Sequence, residues 1–157
     1  MMNTRTKTAV KSATVAFLLI LILSTVGCTN HYLTKQMLIE QVVPKEELKK
    51  GSVTMYAPAG NIMIPIGVSY RANNLNRILC YNDQGEKMFV SVNLNTQLIV
   101  TDKKGEAHKF YLDTVYLSSD KISGLRSRLM GLERSIPLEE IDKIEVYTEQ
   151  SKETAAQ

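Results

Sequence analysis

Leu98-Ile99-Val100-Thr101-Asp102-Lys103-Lys104-Gly105-Glu106-Ala107-His108-Lys109-Phe110-Tyr111-Leu112 decides the fold class. An apolar run meets a polar four-residue turn ending in glycine, and a second run follows. Asp102 can close such a turn through its side chain, and Gly105 takes the positive φ that other residues avoid. The pattern predicts a β-hairpin. The same grammar occurs twenty residues earlier, where Ile78-Leu79-Cys80-Tyr81 leads through Asn82-Asp83-Gln84-Gly85 to Glu86–Val92. The apolar positions of the two hairpins do not match one for one. Shared turn chemistry therefore explains the likeness without a duplication.

C-terminal to these hairpins, Asp113–Leu117 continues the strand, Ser118–Lys121 reads as a turn, and Ile122-Ser123-Gly124-Leu125 starts another strand. Arg126–Arg134 then breaks the alternation. Ser135-Ile136-Pro137 leads to Leu138-Glu139-Glu140-Ile141, read as one short helical turn, and Lys143–Tyr147 reads as the closing strand. A helix from Pro137 to Tyr147 is the rival, because proline suits a first helical position and Leu138, Ile141 and Ile144 lie three apart. Val146 and Tyr147 favour the strand. The turn-plus-strand reading puts Ile136, Leu138, Ile141, Ile144 and Val146 in the core and leaves Glu139, Glu140, Lys143 and Glu145 in solvent.

Val100-Thr101-Asp102 with Gly105, then Ile136-Pro137-Leu138, Ile141 and Ile144-Glu145-Val146, resembles a module of small uncharacterised bacterial lipoproteins. The order of elements over residues 96 to 147 resembles small SH3-like or Sm-like barrels, where one helical turn precedes the closing strand. The resemblance implies a mainly β domain, a small antiparallel barrel or sandwich. It covers the final part of the chain and speaks to fold rather than to function.

Towards the N-terminus the strand signals continue. Val53 and Met55 alternate with Thr54 and Tyr56. Asn61–Tyr70 is rich in Ile and Val but holds Pro65 and Gly67, which predicts an edge strand or a bend. Arg71–Asn76 reads as a polar loop. Residues 28 to 49 read as a tether. Leu33–Val43 has some helical spacing within it but no clear cap. The expected domain runs from residue 50 to 148 and the polar tail from 149 to 157. How residues 50 to 95 complete the fold is left open.

The first 27 residues read as an export signal. Arg5, Lys7 and Lys11 form a basic start, and Ala13–Leu23 is apolar apart from Thr14. That run is shorter than the ~20 residues of an ordinary membrane span. Leu23-Ser24-Thr25-Val26-Gly27-Cys28 resembles the lipobox of bacterial lipoproteins, with Thr25 where leucine is commonest. The resemblance implies cleavage before Cys28 and covalent lipid on that cysteine as the anchor. Two or three acyl chains hold a protein stably where one is marginal. Thr29 and Asn30 follow the cysteine, which by the same resemblance implies the outer membrane. The absence of acidic residues over 29 to 39 implies its periplasmic face.

The basic excess belongs to the signal. Residues 28 to 157 carry sixteen basic and sixteen acidic side chains, so nucleic acid is not an expected partner. Cys80 sits in an apolar run and reads as a small core residue. Two histidines, His31 in the tether and His108 in a hairpin, offer no metal-ligand spacing, and no metal or cofactor beyond the lipid is expected. His108 reads as an exposed strand position. Glu139, Glu140, Asp142 and Glu145 read as solvated carboxylates. Gly-x-Ser-x-Gly, Gly-x-Gly-x-x-Gly and phosphate-loop motifs do not occur, and the chain is not expected to be an enzyme.

Arg126, Arg128, Met130 and Arg134 mark the segment to watch, since Arg and Met are enriched at interface cores. The competing expectation is a long loop whose Leu129, Met130 and Leu132 tuck back onto the domain while the arginines stay solvated. The leading functional expectation is a membrane-anchored, non-catalytic envelope lipoprotein that binds or assembles with another envelope protein. A module for cell-wall glycan or a small ligand comes second, and a small hydrolase third.

Overall fold

The computed structural model describes residues 31–148, so the signal region, Cys28 and the tail from residue 149 lie outside the described residues. Eleven strands and one helix follow in order. They are β1 (His31–Leu33), α1 (Lys35–Gln41), β2 (Lys49–Ala59), β3 (Ile62–Ala72), β4 (Arg77–Tyr81), β5 (Lys87–Ser91), β6 (Gln97–Asp102), β7 (Ala107–Tyr111), β8 (Tyr116–Ser118), β9 (Lys121–Ser127), β10 (Leu132–Pro137) and β11 (Ile141–Tyr147). Short 3-10 turns occupy Lys45–Glu47, Leu112–Thr114 and Leu138–Glu140.

The two predicted hairpins form as expected, and for the same reason. Asn82 Oδ1 accepts the Gln84 and Glu86 N–H groups at 3.0 and 2.8 Å. Asp102 Oδ1 accepts those of Lys104 and Glu106 at 2.9 Å each. Gly85 and Gly105 follow at φ of 78° and 83°, where a Cβ is strained. The segment after Pro137 is a 3-10 turn and then a strand. Ile136, Ile141, Ile144 and Val146 are buried, with Leu138 packed beside them.

Six strands make one antiparallel sheet in the order β5-β4-β1-β11-β6-β7, and β10-β9-β8 make a second. The hydrophobic core lies between them. It takes residues from α1 and from every strand except β2, β3 and β8. Gly124 on β9 permits the close approach, since a Cβ there would stand 3.2 Å from Phe110 and Val115 side chains. None of the sheets closes into a barrel, so the barrel expectation fails while the mainly β class holds. The reason lies partly in β1, which enters the middle of the large sheet, and partly in β2 and β3, which pair only with each other.

The segment expected as a tether is folded from His31 onward. β1 pairs with β11 over three residues and with β4 at Tyr32–Tyr81. Helix α1 has a cap after all, because Thr34 Oγ1 accepts the Met37 N–H at 3.1 Å. Leu38 and Val42 are buried against the core. Gln41 then acts as a one-residue strand surrogate. Its amide oxygen accepts Leu79 N–H at 2.6 Å and its amide nitrogen donates to Leu79 carbonyl at 3.1 Å. β1 is too short to reach that part of β4, and Gln41 satisfies the backbone groups it leaves.

Two further expectations are corrected. Residues 112 to 114 form a 3-10 turn instead of extending β7. Arg126–Arg134 is a β-hairpin rather than a loop, with β9 and β10 joined through Arg128–Gly131 and Gly131 at φ 61°. Arg71–Asn76 is shared between the end of β3 and a short connection pinned by Asn73. The Asn73 side chain donates to the Leu112 and Val115 carbonyls at 2.8 and 2.9 Å and accepts the Leu75 N–H at 3.0 Å.

Candidate functional site

The base of the β2–β3 ribbon, the Leu112–Thr114 turn and the β9–β10 hairpin meet around one arginine. Arg128 is only 6% exposed. Its Nη2 forms an ion pair with Asp113 Oδ1, and its Nη1 donates to the Leu94 carbonyl at 2.8 Å. Its guanidinium stacks 3.8 Å from the centre of the Tyr111 ring and 5.0 Å from that of Tyr70. Tyr70 in turn donates its hydroxyl to Asp113 Oδ2 at 2.8 Å. Planar stacking and a fork of donors suit arginine to this junction and lysine poorly. Its Nε has no hydrogen-bond partner.

A cleft of about 210 Å³ opens beside this junction. Lys45 and Leu48, Tyr70 and Arg71 of β3, Tyr116 of β8, and Glu133 of β10 give it most of its chemistry. Tyr116 hydrogen-bonds Glu133, and Lys45 lies 5.5 Å from the centre of the Tyr116 ring. Burial, and then the carboxylates of Asp113 and Glu133, push the Tyr70 and Tyr116 hydroxyls above their ordinary value. Both phenols therefore stay protonated donors at neutral pH. The cleft is smaller than the several hundred Å³ usual for a small-molecule site.

A second cluster sits on the β6–β7 hairpin. His108, expected in solvent, is 2% exposed. With its proton on Nε2 it donates to Asp102 Oδ2 at 3.2 Å, while Nδ1 faces Glu106 Oε1 at 3.5 Å without a hydrogen bond. Asp102, Glu106 and His108 are the one group among the described residues whose ligand atoms could meet at a cation, all within 4.8 Å of one another. The donor set is already committed. Asp102 accepts two N–H groups and the imidazole, and Glu106 pairs with Arg134 at 3.3 Å. The Glu106 N–H bond first, and His108 next, hold the Asp102 carboxyl below the usual carboxylate range. The cluster therefore stabilises the turn and aims His108.

The residues singled out from sequence separate. Arg126 is exposed on β9, and Met130 projects from the β9–β10 turn at 72% exposure with Leu129 and Leu132 also exposed. Arg134 is half-buried and occupied by Glu106. Arg128 is withdrawn into the junction, the opposite of a solvated arginine. The expectation that Leu129, Met130 and Leu132 tuck inward is reversed for the same reason: the tight turn puts them outside and draws Arg128 in. Cys80 is buried as expected, and burial pushes its thiol up to about 12. It is no nucleophile at neutral pH. His31 is buried in β1. Asp113, the anion that decides where Arg128 goes, carried no sequence signal beyond being an acid between Leu112 and Thr114 in a stretch read as strand.

Among the described residues no helix is long and apolar enough to cross a membrane. Compared with known proteins, the chain matches no family model, no curated protein and no solved structure.

Proposed function

We propose that this chain is a bacterial envelope lipoprotein, anchored through lipid on Cys28, whose β domain is a non-catalytic interaction or assembly module. The observation that carries the anchor is Leu23-Ser24-Thr25-Val26-Gly27-Cys28 at the end of a short apolar run with a basic start. The placement that follows from Thr29 and Asn30 is the outer membrane, facing the periplasm. Support for the module comes from the β9–β10 turn, where Leu129, Met130 and Leu132 are exposed together beside the cleft at the ribbon base. Apolar side chains grouped in this way mark a contact surface.

Two measurements test the proposal. Cys28→Ala is expected to leave an uncut precursor without incorporated lipid, and normal processing of that variant ends the anchor reading. Pull-down from membranes is expected to recover an envelope partner that is lost in Met130→Asp and kept in Arg126→Gln. Equal recovery with every variant, or none from the parent, removes the module reading.

A second reading rests on the cleft, whose Tyr70, Tyr116, Lys45 and Glu133 suit a sugar or another small polar ligand. Co-sedimentation with purified peptidoglycan, reduced by Tyr116→Ala, distinguishes it from the protein-binding module.

A further inference from the structure

Beyond its base, which Tyr70 fastens to Asp113, the β2–β3 ribbon pairs with no other strand of the described residues. No residue from 43 to 71 is buried, and no residue of Gly51–Tyr70 carries a charge. The register sorts its side chains onto two faces. One carries the pairs Val53–Val68, Met55–Ile66, Ala57–Ile64 and Ala59–Ile62, and is apolar from Val53 to the turn. The other begins with Ser52–Ser69 and Thr54–Gly67 near the base, then becomes apolar too, with Tyr56–Pro65 and Pro58–Met63. The strands of the distal part, Tyr56–Ala59 and Ile62–Pro65, are therefore apolar on both sides, with Tyr56 65%, Ile62 64% and Met63 59% exposed, and Asn61 in the turn between them is the one polar side chain of the stretch.

Two-sided apolarity selects among occupants. A second copy stacked face to face covers one side of a ribbon and leaves the other in water. A hydrocarbon layer covers both. Its ordinary objection to an open ribbon is the row of unpaired N–H and C=O groups along each outer edge. The prolines blunt that objection on the donor side. Pro58 faces Met63 and Pro65 faces Tyr56, two pairs of the same parity. A proline has no N–H, so in an alternating ladder these are the pairs whose N–H positions point away from the partner strand. Of the four outward positions on the distal ribbon (Tyr56, Pro58, Met63 and Pro65), two thus have no donor to desolvate. The same prolines discourage pairing with another chain's strand.

Length and charge agree with a membrane. From the Tyr56–Pro65 pair to the turn the ribbon extends about 13 Å at ~3.3 Å per residue, close to the ~15 Å of half a bilayer's hydrocarbon. Charges resume at the base, where Lys45, Lys49, Lys50 and Arg71 outnumber Glu46 and Glu47. A basic base with an uncharged arm complements an anionic lipid surface.

We propose that Tyr56–Pro65 is a membrane-insertion tip that enters one leaflet of an anionic bilayer, while Lys49, Lys50 and Arg71, six or seven residues up the ribbon, stand above the lipid headgroups and attract the domain to the surface. The tip grips the membrane by burial of Tyr56, Ile62, Met63 and Ile64, and its insertion sets the distance between the β domain and the surface. This goes beyond anchoring at Cys28, because it gives the folded domain its own contact with lipid.

The chain has no tryptophan, so a single introduced indole reports its own surroundings. The full-length Met63→Trp protein is mixed with vesicles of phosphatidylethanolamine and phosphatidylglycerol, with Gln84→Trp in the β4–β5 turn as the reference. Residue 63 is expected to shift its emission to the blue, lose access to acrylamide and be quenched by lipids brominated on their acyl chains. Residue 84 is expected to do none of these. Ile62→Trp repeats the measurement should Met63→Trp fail to fold. Lys49→Gln with Lys50→Gln is expected to weaken the lipid quenching at residue 63. Water-like emission at residues 62 and 63 with vesicles present overturns the proposal. So does a blue shift that grows with protein concentration and shows no lipid quenching, which identifies a second copy as the occupant. The readout is local to the tip, so it stands whether or not Cys28 carries lipid.

Discussion

The β6–β7 hairpin and the β2–β3 ribbon are built from the same materials and serve opposite ends. Each is two antiparallel strands of alternating character joined by a turn with a glycine at positive φ, Gly105 in one and Gly60 in the other. In β6 and β7 the alternate residues Leu98, Val100, His108 and Phe110 are buried in the middle of the domain. In β2 and β3 the alternate residues Val53, Met55, Ile66 and Val68 reach no core at all. Alternation states which residues share a face. It does not state whether anything lies against that face.

The largest effect should come from placing one substitution in both contexts. Ile144→Asp on β11, against β6, puts a carboxylate into the core, and its cost should abolish cooperative folding. Ile64→Asp on the ribbon should change thermal stability by no more than about 0.5 kcal/mol, as for an ordinary surface position. Calorimetry on the two variants decides it, and equal destabilisation would erase the distinction between core hairpin and free ribbon.

Removing the link between the regions comes next. Arg128→Met keeps the apolar stem but leaves Asp113 without its cation, and a broken ion pair of this sort costs about 3 kcal/mol. The loss should be spatially uneven. Amide exchange is expected to accelerate most along β2 and β3, because Arg128 stacks on Tyr70 and neutralises Asp113, the two residues whose hydrogen bond fastens the ribbon base. Unchanged exchange there would show that the Tyr70–Asp113 bond and Asn73 hold the ribbon without the arginine.

Turn substitutions give a smaller and graded series. Gly105→Val and Gly85→Val should each destabilise the whole domain by about 1 kcal/mol or more, since a β-branched residue is strained at positive φ. Gly60→Val meets the same strain at φ 65°, yet should leave the global unfolding midpoint almost unchanged, because the ribbon tip can open without exposing core. A global shift equal to that of Gly105→Val would mean that the ribbon unfolds with the sheet.

The smallest effect separates the two core turns. Asp102 is held below the usual carboxylate range, first by the Glu106 N–H and then by His108. A depressed carboxyl stabilises the fold above its unfolded value, about 3.9, and that contribution fades as pH falls through the folded value. Asn82 makes the equivalent turn with no titration. Asp102→Asn should therefore stay near parental stability at neutral pH and lose less on acidification. Urea midpoints from neutral pH down to about pH 3 test this, and an acid-side slope identical to the parent's would assign the dependence to other groups.

Local chemistry made much of the fold legible in advance. Asx turns and positive-φ glycines at Gly85 and Gly105 act within four residues, so both hairpins could be read directly. The turn-plus-strand ending was legible from Val146 and Tyr147, and the burial of Cys80 from its apolar neighbours. The N-terminal elements were not. Thr34 as a cap and Gln41 as a strand surrogate depend on what lies across from them, and His31–Leu33 is too short to announce a strand.

The sequence by itself determined the mainly β class, the hairpin positions, the charge balance after residue 27 and the cysteine around which the proposed anchor is built. Each of these depends on residues a few positions apart. Tertiary structure alone decided that the sheets stay open, that Arg128 and His108 are buried and Met130 is not, and that Val53–Val68 and Met55–Ile66 face no core. Burial of Arg128 needs Asp113, fifteen positions away, and burial of His108 needs the hairpin closed around Asp102. Long-range pairing creates the surroundings in which a charge can be stabilised, and alternation along one strand carries no record of them.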